Sequence, residues 1–174
     1  MSTEAETELG PEPVRDTTLA LKRETILPSS DRGRLAAIVA TRGNKHCHVI
    51  LRGGRNGPNY SAELIGEATA SLHKAGLRPA LMVDTSHANS QKDHRNQVKV
   101  AESLAAQVGS GSQAIFGVMI ESNLVEGRQD VVPGKPLTYG QSITDGCISF
   151  EQTRESLESF AAAVRSAASL KATA

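Results

Sequence analysis

Apolar residues recur along the chain with two alternating periods. Short continuous runs, HCHVIL, ALMV and AIFGVMI, read as buried strands. Between them apolar positions return every three or four residues. In SAELIGEATASLHKAGL the residues Leu64, Ala68, Leu72 and Ala75 share one helical face, and Gly76 suits the left-handed position that closes a helix. In DHRNQVKVAESLAAQVGSG the face is Val98, Ala101, Ala105 and Val108, with Gly109 at its end. SITDGCI reads as a fourth strand. SFEQTRESLESFAAAVRSA is a closing helix opened by a Ser149/Gln152 capping box, with Leu157, Phe160, Ala161 and Val164 on its buried side. Upstream, LAAIVA and HCHVIL flank the turn-like TRGNK and predict a hairpin leading into the strand that ends at LRGG. Residues 123–141 carry Gly and Pro without a helical stripe and predict a long loop. Residues 1–31, with Pro11, Pro13 and Pro28, predict a disordered extension apart from a short helix over 18–24.

The order is strand, helix, strand, helix, strand, loop, strand, helix. Continuous apolar strands alternating with amphipathic helices predict an α/β protein, a parallel sheet covered by helices. No glycine-rich phosphate fingerprint follows any strand, so a dinucleotide or P-loop site lacks its chemistry.

Composition narrows the function classes. The 174 residues suffice for one ordinary domain, and 19 Lys plus Arg balance 19 Asp plus Glu. Without a net basic field neither nucleic acid nor an anionic membrane is an expected partner. Two cysteines, Cys47 and Cys147, make no disulfide framework and fit a reducing compartment. The acidic amino terminus, MSTEAETELGPEPVRD, is opposite in charge to a secretory or mitochondrial presequence, so a soluble cytoplasmic protein is expected.

In parallel α/β proteins functional groups gather at the carboxyl ends of the strands. Those ends carry Arg52 in VILRGG, His87 in VDTSHANS, Glu121 in VMIESNLVEG and Asp145 in SITDGC. Taken singly, a His after a strand such as His87 is more often a hydrogen-bonded loop histidine. Glu121 and Asp145 could be caps or salt-bridge partners, and Arg52 a partner for a neighbouring carboxylate. Together, an imidazole and two carboxylates suit a divalent cation such as Mn²⁺, Fe²⁺ or Zn²⁺. Arg52, followed by Gly53 and Gly54, suits an anion that approaches the backbone closely.

With these residues in view, the chain resembles the class I 3-deoxy-D-arabino-heptulosonate 7-phosphate (DAHP) synthases over about residues 35–168. GNKHCHVILRGG, PNYSAELI, VDTSHANSQKDH, GVMIESNLVEGRQ and YGQSITDGCI stand in the family's order and at its spacing. The resemblance implies that His87, Glu121 and Asp145 are three of four metal ligands. It also implies that Arg52 binds phosphoenolpyruvate, and that His87 and Asp145 border the substrates. The implied reaction condenses phosphoenolpyruvate with erythrose 4-phosphate and water to DAHP and phosphate, the entry to the shikimate pathway and aromatic amino acid biosynthesis.

Family members are complete (β/α)8 TIM barrels, and the chain resembles only their carboxyl-terminal half, strands five to eight. The implied layout is an extension over 1–31 and a partial barrel domain over 32–170. The fourth ligand, a cysteine, and the lysines and arginines that hold both phosphates belong to the first half. Cys47, at the start of its strand, is expected on the opposite side of the barrel, and Cys147 to be packed or exposed rather than liganding. Four strands would leave two open edges, so a homo-oligomer or a separate chain completing the barrel is expected. Two other readings stand beside this one: a catalytically incomplete fragment or interaction subunit, and, ranked lower, the related octulosonate 8-phosphate synthases.

Overall fold

Local capping chemistry sets where the helices begin and end. In the computed structural model, which describes residues 24–25, 39–40, 44 and 46–172, the Ser61 hydroxyl accepts the Leu64 amide at 3.3 Å and opens α1 (Ala62–Lys74). Gly76, at φ +71°, closes it: its amide donates to the His73 carbonyl and that of Leu77 to Leu72, both at 2.9 Å. These paired bonds satisfy carbonyls the helix end would leave orphaned. α2 (Asn96–Gly109) ends at Gly109, as predicted, and Gly111, at φ +95°, closes it in the same way. The predicted capping box opens α3 (Phe150–Ala172). The Gln152 amide reaches Ser149 Oγ at 3.2 Å, and the Ser149 amide reaches Gln152 Oε1 at 2.8 Å.

The strands are β1 (Glu24–Thr25), β2 (Val39–Ala40), β3 (Ile50–Leu51), β4 (Leu81–Asp84), β5 (Ile115–Met119), β6 (Val125–Arg128) and β7 (Gln141–Ser142). β3, β4 and β5 form a parallel sheet in that order, pairing Leu51 with Val83 and Asp84 with Met119. β6 and β7 pair in parallel, and β1 and β2 pair antiparallel. The fold is therefore α/β, with parallel strands and helices. Val49, Leu51, Leu81 and Val83 meet Ile65, Leu72, Val100 and Leu104 of α1 and α2 in one apolar cluster. Burying each large aliphatic side chain contributes about 1.5–3 kcal/mol.

Several expectations are corrected. Among the described residues the predicted hairpin pairing is replaced: Val39–Ala40 pairs with Glu24–Thr25, while Ile50–Leu51 joins the parallel sheet. Glu24 lies in that strand, and the rest of the expected 18–24 helix lies outside the described residues, as does the expected disorder over 1–31 apart from Glu24–Thr25. The stretch 123–141 contains the unpredicted β6. The fourth strand reduces to Gln141–Ser142, followed by single bridges from Cys147 to Gly127 and from Ile148 to Ser122.

Helix faces rotate as well. α1 buries Ile65, Ala68 and Leu72, leaving Leu64 half-buried and Ala75 exposed. α2 buries Gln97, Val100, Ala101, Leu104 and Ala105, with Val98 and Val108 only half-buried. In α3, Ser156 and Ala167 are buried and Phe160 half-buried, but Ala161 is exposed, and Leu157 and Val164 are 53% and 57% exposed. The reason is close packing of α3 along α2, where Ala163 lies against Gly109. A tight seam selects small side chains, so the large apolar ones face away.

Candidate functional site

Three backbone crossings are stapled together by buried amides. Arg52 follows β3, and its carbonyl accepts the Asn89 amide at 3.2 Å. Asn89 Nδ2 donates to the carbonyls of Leu51 (3.0 Å) and Asp84 (2.7 Å), while its Oδ1 accepts the Asn59 amide at 2.8 Å. Asn59 Oδ1 in turn accepts the Gly53 amide at 2.7 Å. Gly53 has φ +76°, and a Cβ there would fall 2.7 Å from Ala88 Cβ and 2.8 Å from the Asn89 nitrogen. Only glycine allows the end of β3 to lie this close to the loop that carries His87.

Asp84 ends β4 fully buried and organises that loop. Its Oδ1 accepts the Ser86 amide (2.7 Å) and hydroxyl (2.6 Å), and its Oδ2 meets His87 Nδ1 at 2.5 Å. Ser86 Oγ also lies 2.7 Å from Nδ1. His87 sits at φ +51°, a left-handed conformation that costs a non-glycine residue about 1–2 kcal/mol. The Asp84 bond assigns the Nδ1 proton and turns Nε2 outward. Nε2 faces Glu121 Oε1 at 3.5 Å. In a neutral imidazole that nitrogen carries a lone pair, so two electron-pair donors confront each other. A proton or a cation between them relieves the repulsion.

Glu121 lies just beyond β5, with its main chain gripped by Gln97. Gln97 Oε1 accepts the Glu121 amide at 2.9 Å, and Nε2 donates to the Glu121 carbonyl at 3.1 Å. Burial pushes the Glu121 carboxyl above the usual carboxylate range. His87 opposes that rise, Asp145 and Asp84 add to it, and Arg52 opposes it. The fields of Arg52, His87 and Asp145 thus converge on Glu121. Residues 147–148 run beside this segment, since the Ile148 amide donates to the Glu121 carbonyl at 3.0 Å. Asp145 itself is exposed, and among the described residues no three His, Cys, Asp or Glu side chains form a ready-made cation group.

The donor set present suits a divalent cation. Ligand bonds of about 2.1 Å at tetrahedral or octahedral angles separate neighbouring donors by about 3.0–3.5 Å, which matches the 3.5 Å between His87 and Glu121. The carboxylate behind Nδ1 is the usual outer partner of a metal-bound imidazole. Cys147 is buried, and burial pushes its thiol up, with Glu121 and Asp145 adding to the effect. It is packed, and its Sγ lies 3.6 Å from the Asp145 carbonyl. Cys47 lines a different cavity of about 380 Å³ with Leu72, Leu77, Arg78 and Phe116, beside the amino ends of β3 and β4. Sequence reasoning missed Asp84, Gln97, Asn59 and Asn89. The Asp-x-Ser spacing of DTSH is an Asx-turn signal that could have revealed Asp84; no comparable local signal marks Gln97.

A parallel α/β sheet whose carboxyl ends gather an arginine, an imidazole and carboxylates defines a class of α/β proteins with a polar strand-end site. The chain belongs to the DAHP synthetase I family, whose profile matches residues 17–158. It is 54% identical over 129 residues to a phospho-2-dehydro-3-deoxyheptonate aldolase of Haemophilus influenzae, covering 74% of this chain and 36% of that protein. A tyrosine-inhibited aldolase of the same description from Schizosaccharomyces pombe is 52% identical over 145 residues, covering 81% and 39%. The solved phospho-2-dehydro-3-deoxyheptonate aldolase of Francisella tularensis SCHU S4 superposes with a TM-score of 0.77 at 47% identity, covering 88% of this chain and 44% of that one. The chain therefore spans about two fifths of the length of these relatives. No helix among the described residues is long and apolar enough to cross a membrane.

Proposed function

We propose that residues 32–170 form the carboxyl-terminal half of a (β/α)8 barrel, strands five to eight, and contribute that half of a DAHP synthase site. The reaction is condensation of phosphoenolpyruvate with erythrose 4-phosphate and water to DAHP and phosphate. The observation that carries this reading is the confrontation of His87 Nε2 with Glu121 Oε1 at 3.5 Å, with Asp84 holding the other ring nitrogen. In a chain of this family it supports a cation such as Mn²⁺ or Fe²⁺ held by His87 and Glu121 together with Asp145. When bound, the cation supplies Lewis-acid polarisation of the aldehyde oxygen. Arg52 binds the phosphoenolpyruvate anion, and Gly53, by letting the backbone pack against Ala88 and Asn89, holds the end of β3 beside the His87 loop. Asp84 holds the Nδ1 side of the His87 ring, so the Nε2 lone pair of the neutral imidazole faces the cation.

Leu157, Val164, Ile143 and Leu124 are each more than half exposed. Apolar surface of this extent supports completion of the barrel by a second copy or by a chain carrying the first half. The test is phosphate release from phosphoenolpyruvate by the purified chain. Release should require both erythrose 4-phosphate and Mn²⁺, and should vanish in a folded His87→Ala variant. A folded chain that releases none, alone or with a first-half chain added, refutes the enzymatic reading in favour of a catalytically incomplete fragment.

A further inference from the structure

Gln97 is a polar residue on the apolar face of α2, 0% exposed among Val100, Ala101 and Leu104. A buried carboxamide costs several kcal/mol unless its donor and acceptor are both used. Here both are used on one residue: Oε1 takes the Glu121 amide at 2.9 Å and Nε2 gives to the Glu121 carbonyl at 3.1 Å. The side chain fills the place of a neighbouring strand just where β5 has ended. Thr85 Oγ1 lies 3.1 Å from the same Oε1, and the Thr85 amide donates to the Met119 carbonyl at 2.9 Å. Thr85 lies between Asp84 and His87, so one buried network fixes the Glu121 main chain against the loop that carries the imidazole.

We infer that Gln97 is a positioning residue: it sets the separation of Glu121 from His87 for cation capture, an inference that rests on the cation site proposed above. A residue needed only for packing could be a leucine or methionine, which fills similar volume without orphaning polar groups of its own. The carboxamide instead pins the one backbone unit from which the candidate ligand springs. Outer partners of metal ligands typically change affinity by about 10–100-fold when removed.

The experiment titrates the full 174-residue chain with Mn²⁺, reading free Mn²⁺ by electron paramagnetic resonance. Wild type is compared with Gln97→Met and Gln97→Glu, and circular dichroism confirms that each is folded. Amide hydrogen exchange at Glu121 is measured on the same proteins without metal. Gln97→Met should weaken Mn²⁺ binding about 10–100-fold and speed exchange of the Glu121 amide. Gln97→Glu keeps an oxygen to accept that amide but sets the other against the Glu121 carbonyl, so its affinity should fall between the two. A folded Gln97→Met with wild-type Mn²⁺ affinity overturns the role. If Gln97→Met does not fold, Gln97→Glu decides, and unchanged affinity overturns it. A wild-type chain that binds no Mn²⁺ removes the cation site itself, which the exchange measurement distinguishes from loss of the Gln97 contact.

Discussion

Replacing Gly53 by alanine separates two physical effects that coincide at the end of β3. The first is backbone strain, because φ +76° is left-handed, which costs a residue with a Cβ about 1–2 kcal/mol. The second is steric: the new methyl would lie 2.7–2.8 Å from Ala88 and from the Asn89 nitrogen, backbone as well as side chain. Forcing a methyl into such a space typically costs a further 1–3 kcal/mol or so, for a total of about 2–5 kcal/mol. Gly76 supplies the control. It has nearly the same φ, +71°, but nothing within 4 Å of where a Cβ would stand. Gly76→Ala should therefore cost only the strain, about 1–2 kcal/mol. Urea unfolding followed by circular dichroism measures both, since the chain has no Trp to report by fluorescence. Equal destabilisation by the two substitutions would refute the close approach of β3 to the His87 loop.

Two further outcomes follow from the site and the caps. Glu121 holds its proton more tightly in the folded state, so its contribution to stability is fully present below the usual carboxylate range and is lost as pH rises through the raised value. Glu121→Gln, neutral throughout, should flatten that part of the stability–pH profile and leave the metal-free chain at least as stable as wild type at neutral pH; urea midpoints at a series of pH values check this, and an unchanged slope counts against it. Ser149→Ala removes the acceptor of the Gln152 amide at the start of α3 and should cost about 0.5–2 kcal/mol. The same unfolding assay reads that loss, and no measurable change would show that the capping box is not formed in solution.

The parts of this protein legible in its sequence are those decided within a few residues. Ser149 and Gln152 form their capping box because both partners lie in one turn. Gly76 closes α1 because its own backbone preference suffices. The helices and the three central strands follow from local period, and His87 and Glu121 stand out as candidates because strand ends are where such groups gather. Residues 24–25 show the limit. The short apolar stretch ending at Ala40 has two possible neighbours, and nothing local chooses Glu24–Thr25 over residues 46–51.

The tertiary structure decided which face of each helix is buried and what holds the site. Leu157 and Val164 read as core residues until the seam between α2 and α3 proved too close for large side chains. Gln97 and Glu121 are 24 residues apart, and Asn59 and Asn89 are 30 apart. A carboxamide in a sequence carries no mark of the backbone unit it will grip. Periodicity records how a segment would meet some apolar surface, whereas the partner, the rotation and the buried hydrogen bonds depend on segments that touch only after the chain has closed on itself.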